Sequence, residues 1–418
     1  MRLTLLVPIL TSLLPLLGVP SAAAADLAIV HATVLPVTAP TIEDGTVLVH
    51  DGRITAVGRD LAIPAGATVV DAAGAWLMPG IIDAHSHMGV YPWPDTNAHG
   101  DGNEAVEPFT PRAWAGDAFD VEDPAIPRAR AGGVTTIQVL PGSANLIGGE
   151  AAVLKLRPAR TIDPMLFDGA PRAIKMALGE NPKRVYHDVA DDDQIETRMG
   201  EYAAFRQEFQ AAIDYRAARA RPNPPPKDLD LEVILDVLDG EVRVNVHCYR
   251  SHDILALFRL ADEFHFKVTA LHHALEAYKV RDVIAAHGTG IATFTDWWGF
   301  KMEAWDAIPQ NAALVAETGV PVVIKSDSAS FIQRLNLEAA KLMRHGMTEQ
   351  AALATVTLNP AKLLGVDARV GSIEVGKDAD LALFDHHPFD VYGRCVKTWI
   401  DGVLVYDRAT EGTPDGIR

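Results

Sequence analysis

The sequence predicts an α/β fold in which a (β/α)8 TIM-like barrel is joined to a small sheet domain built from both chain termini. Short apolar runs alternate with helical stretches through the middle of the chain, which is the pattern of a parallel sheet. About seven or eight such runs occur over roughly 280 residues, which suits a barrel of eight strand–helix units. Strand-like segments with Asp-Gly hairpin turns lie at both ends of the chain.

The elements follow in chain order. Residues 27–75 contain short apolar or alternating runs with a turn at Asp51-Gly52, and the pattern returns in ADLALFD and VKTWIDGVLVYD with a turn at Asp401-Gly402. The predicted barrel strands between them are GIIDAHSHM, GVTTIQVL, AIKMAL, VRVNVHCY, KVTALHH, GIATFTD and PVVIKSD. The predicted domain bounds are 1–25 for a signal peptide, 26–78 and 359–418 for the two parts of the sheet domain, and 79–358 for the barrel.

Composition restricts the class of partner. The chain has 418 residues, of which 48% are apolar, and a net charge of −18 from 55 acidic and 37 basic residues. This acidic balance argues against nucleic acid or an anionic membrane surface as partner, and it leaves a small-molecule or peptide substrate open. The two cysteines, Cys248 and Cys395, indicate no disulfide framework and are expected to fill the core.

The N-terminus has the pattern of a secretory signal peptide. Arg2 precedes a leucine-rich stretch from Leu3 to about Val19, and small residues follow up to Ala25. A membrane anchor is the alternative, but the stretch is short for a span and contains two prolines. Cleavage within Ala22–Ala25 is therefore expected, which predicts a periplasmic or secreted mature protein without a membrane partner.

Two histidines end the first predicted barrel strand. His85 and His87 lie at positions i and i+2, so in a strand both side chains project to the same side. Such a pair is either two histidines on the solvent-exposed side of a strand end or half of a metal site. Residue types that serve metal sites also lie at the ends of other predicted strands: Lys175, His247, His272, His273 and Asp327. Because active sites of α/β barrels lie at the C-terminal ends of the strands, the coincidence favours a metal site.

Three segments resemble a known family. MPGIIDAHSHM, VPVVIKSDSAS and VTLNPAKLLGVDARVGSIEVGKDADLALFD resemble the amidohydrolase superfamily, in the branch of imidazolonepropionase-like and prolidase-like metal-dependent hydrolases. The resemblance covers nearly the whole mature chain, including the split terminal domain, which it implies is a β-sandwich. It also makes a homo-oligomer plausible.

The resemblance implies a ligand set for two divalent metal ions. His85 and His87 would bind the first ion, and Asp327 would touch it and act as general acid and base. Lys175, carboxylated by CO2, would bridge the two ions. Its position at the rim of a dry barrel core would depress its pKa and supply the neutral amine that a carbamate requires. Zinc is the first choice of metal, and Mn, Fe or Co would also fit.

The second ion would bind His247 and a histidine of the next strand. The segment HALEAYK matches the family pattern His-x-x-Glu-Ala-Tyr, which selects His273 over His272. Because adjacent strand residues face opposite ways, His272 is then expected to face the surrounding helices, unless the strand has already ended. Lys155 and Glu150 are weaker alternatives to Lys175 as the bridging residue.

The implied reaction is hydrolysis of a C–N bond by a metal-bridging hydroxide. Lys183, Arg184, Tyr186 and Arg250 follow predicted strands and could clamp a substrate carboxylate, or equally could form loop salt bridges. The aromatic-rich segment FTDWWGFKMEAW, 294–305, could wall the pocket or merely anchor a loop. We therefore expect a dipeptide or N-acyl amino acid as substrate.

Three alternatives stay open. A cyclic amidase or deaminase would use one metal and no carboxylated lysine, so Lys175 is the discriminating residue. A lactonase or esterase would use the same hydroxide. A binding or scaffold protein on a degenerate barrel is disfavoured, because all six candidate ligands are present.

Overall fold

The computed structural model describes residues 26–94, 96–187 and 195–412. The predicted signal peptide, residues 1–25, lies outside the described residues. Across the described ranges, no helix is both long and apolar enough to cross a membrane.

Strands make up three sheets. In chain order they are β1 Leu27–Val34, β2 Ile42–His50, β3 Arg53–Gly58, β4 Thr68–Asp71, β5 Trp76–Pro79, β6 Ile81–Ser86, β7 Val134–Val139, β8 Ile147–Glu150, β9 Ala152–Lys155, β10 Ala173–Ala177, β11 Arg243–Cys248, β12 Val268–His273, β13 Gly290–Thr293, β14 Val322–Ile324, β15 Leu381–Phe384, β16 Cys395–Ile400 and β17 Val403–Asp407.

Helices connect or flank most of the central strands. They are α1 Ala125–Ala131, α2 Glu180–Tyr186, α3 Arg198–Arg219, α4 Leu229–Leu238, α5 Ser251–Phe264, α6 Arg281–Ala286, α7 Asn311–Ala316, α8 Leu335–Ala340, α9 Glu349–Ala354, α10 Leu358–Leu364 and α11 Arg408–Glu411. The longest, α3, begins where the Thr197 side chain accepts a hydrogen bond from the Gly200 N–H, and α4 begins at Asp228 in the same manner. Their inner faces bury Phe205, Phe209 and Ile234 in the main apolar core.

One sheet contains strands from both ends of the described chain. Its order is β17-β16-β15-β5-β1-β2-β3, with β4 paired to β1. The two ends join where β5 pairs antiparallel with β15, with Leu77 opposite Leu383. Ile29, Leu77 and Trp399 are buried in a core of this sheet's own. The early and late segments that share a strand pattern in the sequence are therefore hydrogen-bonded neighbours.

The central strands are mostly parallel. Strands β10, β11, β12, β13 and β14 run parallel in that order, and β6 runs parallel to β7. Strands β8 and β9 depart from the predicted pattern, because β8 pairs antiparallel with β10 and β9 pairs antiparallel with β7. Residues 140–151, which separate β7 from its partner β9, contain β8 but no helix, so the crossover helix of a parallel return is missing there.

The described strands form no closed sheet, but the first and last central strands are linked. The backbone N–H of Asp327, just past β14, donates to the carbonyl oxygen of His85 on β6 at 3.1 Å. The N–H of Ile82 donates to Val356 at 2.9 Å, which ties β6 to the segment that leads into α10. These bonds bring the C-terminal end of β6 beside the residues that follow β14.

A buried ion-pair cluster fastens the terminal sheet to the central strands. Lys155 ends β9, is fully buried, and its Nζ lies 2.7 Å from Asp378, 3.0 Å from Asp380 and 2.6 Å from Asp401. Asp401 also accepts from Arg157 at 2.7 Å. Lys155 is therefore excluded as the bridging metal ligand, because its ammonium is held by three carboxylates of the C-terminal segment.

Replacing Lys155 by methionine should lower the free energy of unfolding by about 3–5 kcal/mol, because it removes the cation that three carboxylates share and leaves the buried Asp380 without its described ion-pair partner. Urea-induced unfolding followed by circular dichroism measures the change. The control is Arg206→Met, which removes an exposed pair with Glu263 and should cost less than about 1 kcal/mol. Equal effects of the two substitutions would contradict the structural role of Lys155.

Candidate metal centre

Two histidines and one aspartate converge at the C-terminal ends of β6 and β14. The Nε2 atoms of His85 and His87 lie 3.1 Å and 3.3 Å from the same carboxylate oxygen, Oδ1 of Asp327, and 3.2 Å from each other. All three ligand atoms lie within 4.8 Å of one another. Imidazole nitrogen and carboxylate oxygen are ligands that zinc accepts, so the three groups fit a divalent cation.

Local backbone geometry places this trio. His85 and His87 project together because they are two residues apart at the end of β6. Asp327 lies beyond the end of β14, and its backbone is no longer extended, with a positive φ of 53°. Its N–H donates to the His85 carbonyl oxygen. The same turn of chain is held by Asp83, which accepts from the Ser326 N–H at 3.2 Å.

His87 is oriented by a backbone group. Its Nδ1 lies 2.8 Å from the carbonyl oxygen of Leu140. A carbonyl oxygen only accepts, so Nδ1 carries the proton and the lone pair of Nε2 faces Asp327. This is the arrangement by which metal-binding histidines are commonly fixed.

A second pair of histidines faces the same space. The rings of His247 and His273 are 4.4 Å apart between centroids, and the Nε2 atom of each is buried without a hydrogen-bond partner in the part of the chain that the structure describes. Nδ1 of His247 lies 2.8 Å from the hydroxyl of Ser143. Buried polar atoms are rarely left unpaired, so the two orphaned nitrogens are suited to a ligand such as a cation.

His272 departs from the expected orientation. Its Nδ1 lies 2.8 Å from Nδ1 of His85, so it faces the His85 ring and not the surrounding helices. His273 reaches the same space because its φ of 69° is left-handed, which breaks the alternation of the strand. The left-handed φ of His273 ends the extended backbone at this pair, which is the exception that the prediction for His272 allowed.

Lys175 is buried beside these histidines. Its Nζ donates to the carbonyl oxygen of Pro141 at 3.0 Å and to the Ser143 hydroxyl at 3.4 Å. Burial lowers the pKa of Lys175 to about 7; Asp327 opposes this effect and Lys325 adds to it. A neutral amine, the form that reacts with CO2, is thus accessible near neutral pH. Glu150, the carboxylate alternative, is instead paired with Arg172 at 2.7 Å.

Burial also sets the charge of the other groups. It holds the pKa of His85, His247, His272 and His273 well below the usual value, so these rings are neutral, the form that binds metal. Burial alone would raise the pKa of Asp327, but Lys325 and the neighbouring histidines hold it well below its usual range. Asp327 is therefore an ionised carboxylate.

Lys325 is a site residue that the sequence analysis missed. It is buried, its Nζ lies 2.9 Å from Nδ1 of His273 and 3.2 Å from Oδ2 of Asp327, and it sits 3.9 Å from the centre of the Phe294 ring. The available signal was its spacing in VVIKSD, two residues before Asp327. Burial lowers its pKa to about 8.

The proposed carboxylate clamp is dispersed. Tyr186 is buried and its hydroxyl donates to the Glu107 carbonyl oxygen at 2.7 Å. Arg250 lies 3.8 Å from Glu276. Lys183 and Arg184 lie on α2, half-buried and exposed respectively. The described contacts of the Tyr186 hydroxyl and of Arg250 engage protein groups, which favours the salt-bridge alternative for Arg250.

The aromatic-rich segment does adjoin the site. Tyr249 stacks on His273 at 4.6 Å between centroids, and Phe294 lies 5.4 Å from the same ring. Phe300 lies 6.3 Å from Tyr249 and is 54% exposed. The ammonium of Lys301 lies 3.9 Å from the centre of the Tyr249 ring. The three aromatic residues form an apolar wall beside the second histidine pair, and Lys301 lies against it.

Comparison with known proteins identifies the family. The amidohydrolase family profile matches residues 306–405. The crystal structure of an amidohydrolase from Thermotoga maritima MSB8 is 37% identical, with a TM-score of 0.85 over 91% of this chain and 100% of that chain. This chain belongs to the amidohydrolase family. Membership supports an enzyme that hydrolyses C–N bonds of a small-molecule substrate, in a family that is typically metal-dependent.

Other relatives match over most of this chain. Amidohydrolase tasK of Hapsidospora irregularis is 37% identical over 393 residues, which are 87% of this chain but only 40% of tasK. The imidazolonepropionase of Thermoplasma acidophilum is 22% identical over 89% of this chain and 92% of that protein. A prolidase structure complexed with N-methylphosphonate-L-proline is 18% identical, with a TM-score of 0.58 over 92% of this chain and all of that chain. These amidohydrolase-fold neighbours imply a fold that contains a TIM barrel.

Replacing Lys175 by methionine should change the pH dependence of stability in metal-free, bicarbonate-free protein. The folded-state pKa of Lys175 is about 7 against an ordinary 10.5, so between these values only the unfolded parent holds the proton. The parent should therefore gain stability relative to Lys175→Met as pH rises through this window, by up to about 1.4 kcal/mol per pH unit. Urea unfolding at several pH values measures the difference; a difference that is constant between pH 7 and 10 would contradict the burial argument.

Proposed function

We propose that the chain is a metal-dependent amidohydrolase that cleaves the C–N bond of a dipeptide or an N-acyl amino acid. The observation that carries the proposal is the approach of His85, His87 and Asp327 within 4.8 Å of one another at the C-terminal ends of central strands. The architecture proposed with it is a (β/α)8 TIM-like barrel and a β-sandwich assembled from both termini. The bond between Asp327 and His85, which links the last and first central strands, supports barrel closure.

Two divalent ions, zinc by first choice, would occupy the centre. His85, His87 and Asp327 would hold the first ion, and His247, His273 and a carbamate on Lys175 would complete the second position. When bound, the metal would polarise the scissile carbonyl and make water a nucleophile at neutral pH. The orphaned Nε2 atom of His247 supports the second position.

Asp327 would move the proton. As an ionised carboxylate, it would accept a proton from the attacking water and deliver it to the leaving nitrogen while the C–N bond breaks. The products would be a carboxylic acid and an amine. Lys325, 3.2 Å from Oδ2, supports this role because a nearby cation keeps the carboxylate ionised until it takes the proton.

The surroundings favour a substrate with an apolar group. Tyr249, Phe294 and Phe300 would contact that group from one side, since they line the space beside His273. Arg250 would bind a substrate carboxylate only if its contact with Glu276 at 3.8 Å is broken. Lys183 and Arg184 lie on α2 and stay candidates for that role. The apolar wall is thus the stronger basis for the substrate class.

A one-metal cyclic amidase or deaminase is the second candidate, and one contact favours it. Nδ1 of His273 accepts from Lys325 at 2.9 Å, and a neutral ring so engaged carries its proton on Nε2. His273 must release that proton before it can bind a second cation. A lactonase or esterase would use the same chemistry on a C–O bond.

The location proposed is the periplasm or the cell exterior. Its support is the N-terminal pattern of Arg2, a leucine-rich stretch and small residues. Homo-oligomerisation is proposed from family resemblance alone.

Metal content separates the two candidate functions. Elemental analysis of mature protein expressed with zinc and bicarbonate should give about two metals per chain, and Lys175→Ala should lose bound metal because the bridging carbamate is gone. About one metal per chain, unaffected by the substitution, would exclude the carbamate and put the one-metal reaction first. The control Lys227→Ala, at a lysine whose side chain is 59% exposed, should leave the metal content unchanged.

Removal of the Asp327 carboxylate should lower the turnover number. Asp327→Asn should lower kcat by about 100-fold or more on any dipeptide or N-acyl amino acid that a screen identifies as a substrate, because an amide cannot accept the proton. Steady-state kinetics at saturating zinc measures this. Asp262→Asn, at a side chain that is 70% exposed, is the matched control. Turnover by Asp327→Asn within a few-fold of the parent would rule out the assigned role.

A further inference from the structure

We propose that Asn245 and His272 are positioning residues that determine which nitrogen of His85 faces the metal. The inference rests on the metal centre proposed above and concerns two residues that would not touch the metal. They form a hydrogen-bonded chain on the far side of the His85 ring, which ends at a backbone carbonyl group.

The chain has three contacts. The side-chain Nδ2 of Asn245 donates to the Ile174 carbonyl oxygen at 3.5 Å. Oδ1 of Asn245 lies 2.9 Å from Nε2 of His272, and Nδ1 of His272 lies 2.8 Å from Nδ1 of His85. The opposite nitrogen of His85, Nε2, faces His87 and Asp327. One line of polar atoms therefore runs from β10 to the metal centre.

The direction of the protons along this line follows from the donor and acceptor types. The Ile174 carbonyl oxygen can only accept, so the amide of Asn245 turns its NH2 group toward it and its oxygen toward His272. An amide oxygen also only accepts, so Nε2 of His272 must carry the proton. In a neutral ring, Nδ1 of His272 is then an acceptor, and Nδ1 of His85 must donate to it.

The result at the metal centre is a lone pair on Nε2 of His85. That is the form a cation requires, and His87 reaches the same form through the Leu140 carbonyl oxygen. The two metal-binding histidines are thus fixed by different devices, one by a backbone group and one by a relay of side chains.

Because these side chains are buried, their hydrogen bonds to one another determine the position of the proton on His85. His85 and His272 are fully buried, and Asn245 is 2% exposed. The side chains therefore have each other as partners, and a reversed proton order would set the Asn245 oxygen against the Ile174 carbonyl oxygen. The opposing influence is Asp327, 3.1 Å from Nε2 of His85, which would attract a proton there while no cation is bound.

The test measures zinc affinity and proton position together, so activity is not required. His272→Phe and Asn245→Leu should each raise the zinc dissociation constant by about 10–100-fold, the usual effect of removing a partner of a metal-binding histidine. Asn245→Asp keeps an acceptor oxygen toward His272 but loses the donor to the Ile174 carbonyl oxygen, so it should recover part of the affinity that Asn245→Leu loses. The control is Thr136→Val on β7, which removes a buried hydroxyl that has no hydrogen-bond partner among the described residues.

The signature comes from NMR of zinc-loaded protein with nitrogen-15-labelled histidine. The parent and Asn245→Asp should show a hydrogen-bonded proton on Nδ1 of His85 that is shared with a nitrogen of His272, and His272→Phe should lose it. If His272 only supported the fold, its replacement would leave the proton on Nδ1 of His85 unchanged.

The outcomes are distinct. Parental zinc affinity in both His272→Phe and Asn245→Leu, or a proton found on Nδ1 of His272 in the zinc-loaded parent, would overturn the relay and leave the proposed function intact. A parent that binds no zinc would overturn the metal centre and the relay together. If His272→Phe does not fold, Asn245→Leu and its Asn245→Asp counterpart carry the same test.

Discussion

The candidate metal centre depends on one contact between distant parts of the chain, the hydrogen bond from the Asp327 N–H to the His85 carbonyl oxygen. His85 and His87 come from the first central strand and Asp327 follows the last, so neither end holds a three-ligand set alone. The bond joins the two ends and sets the carboxylate within 3.3 Å of both imidazole nitrogens. The terminal sheet is attached to the central strands by Lys155, which joins β9 to three aspartates of the C-terminal segment.

Burial then gives most of these residues their chemistry. The same burial that keeps the histidines neutral lowers the pKa of Lys175 to about 7 and that of Lys325 to about 8. Groups that would be solvated cations at the surface become available as ligands, as a carbamate precursor, or as a short-range cation for Asp327. Such a set of buried groups is costly for stability, which is typical of functional sites and atypical of a packed core.

The sequence predicted the parts of the fold that follow from periodicity. The i, i+2 spacing was sufficient to put His85 and His87 on one side, and apolar runs located β6, β7 and β10 to β14. It did not predict β8 and β9, whose antiparallel pairing results from a short connection and not from any apolar pattern. Alternation failed at His272 and His273 because the left-handed φ of His273 is a tertiary effect. Lys325 and Asn245 lie two residues before Asp327 and His247 respectively, so the spacing that found the histidine pair could also have found them.

Lys325 bears most directly on the number of metals. Its ammonium contacts Asp327, a proposed ligand of the first ion, and His273, a proposed ligand of the second. A cation at that place repels a divalent ion. A carbamate on Lys175 would change this balance, because it replaces a potential cation with an anion in the same pocket. Lys325 could then pair with the carbamate or with Asp327 while His273 frees Nε2 for the second ion. With Lys175 unmodified, two buried lysines and a second divalent ion would place several positive charges close together. On electrostatic grounds, a second metal ion would therefore require the carbamate. The number of bound metal ions and the carboxylation of Lys175 would then change together.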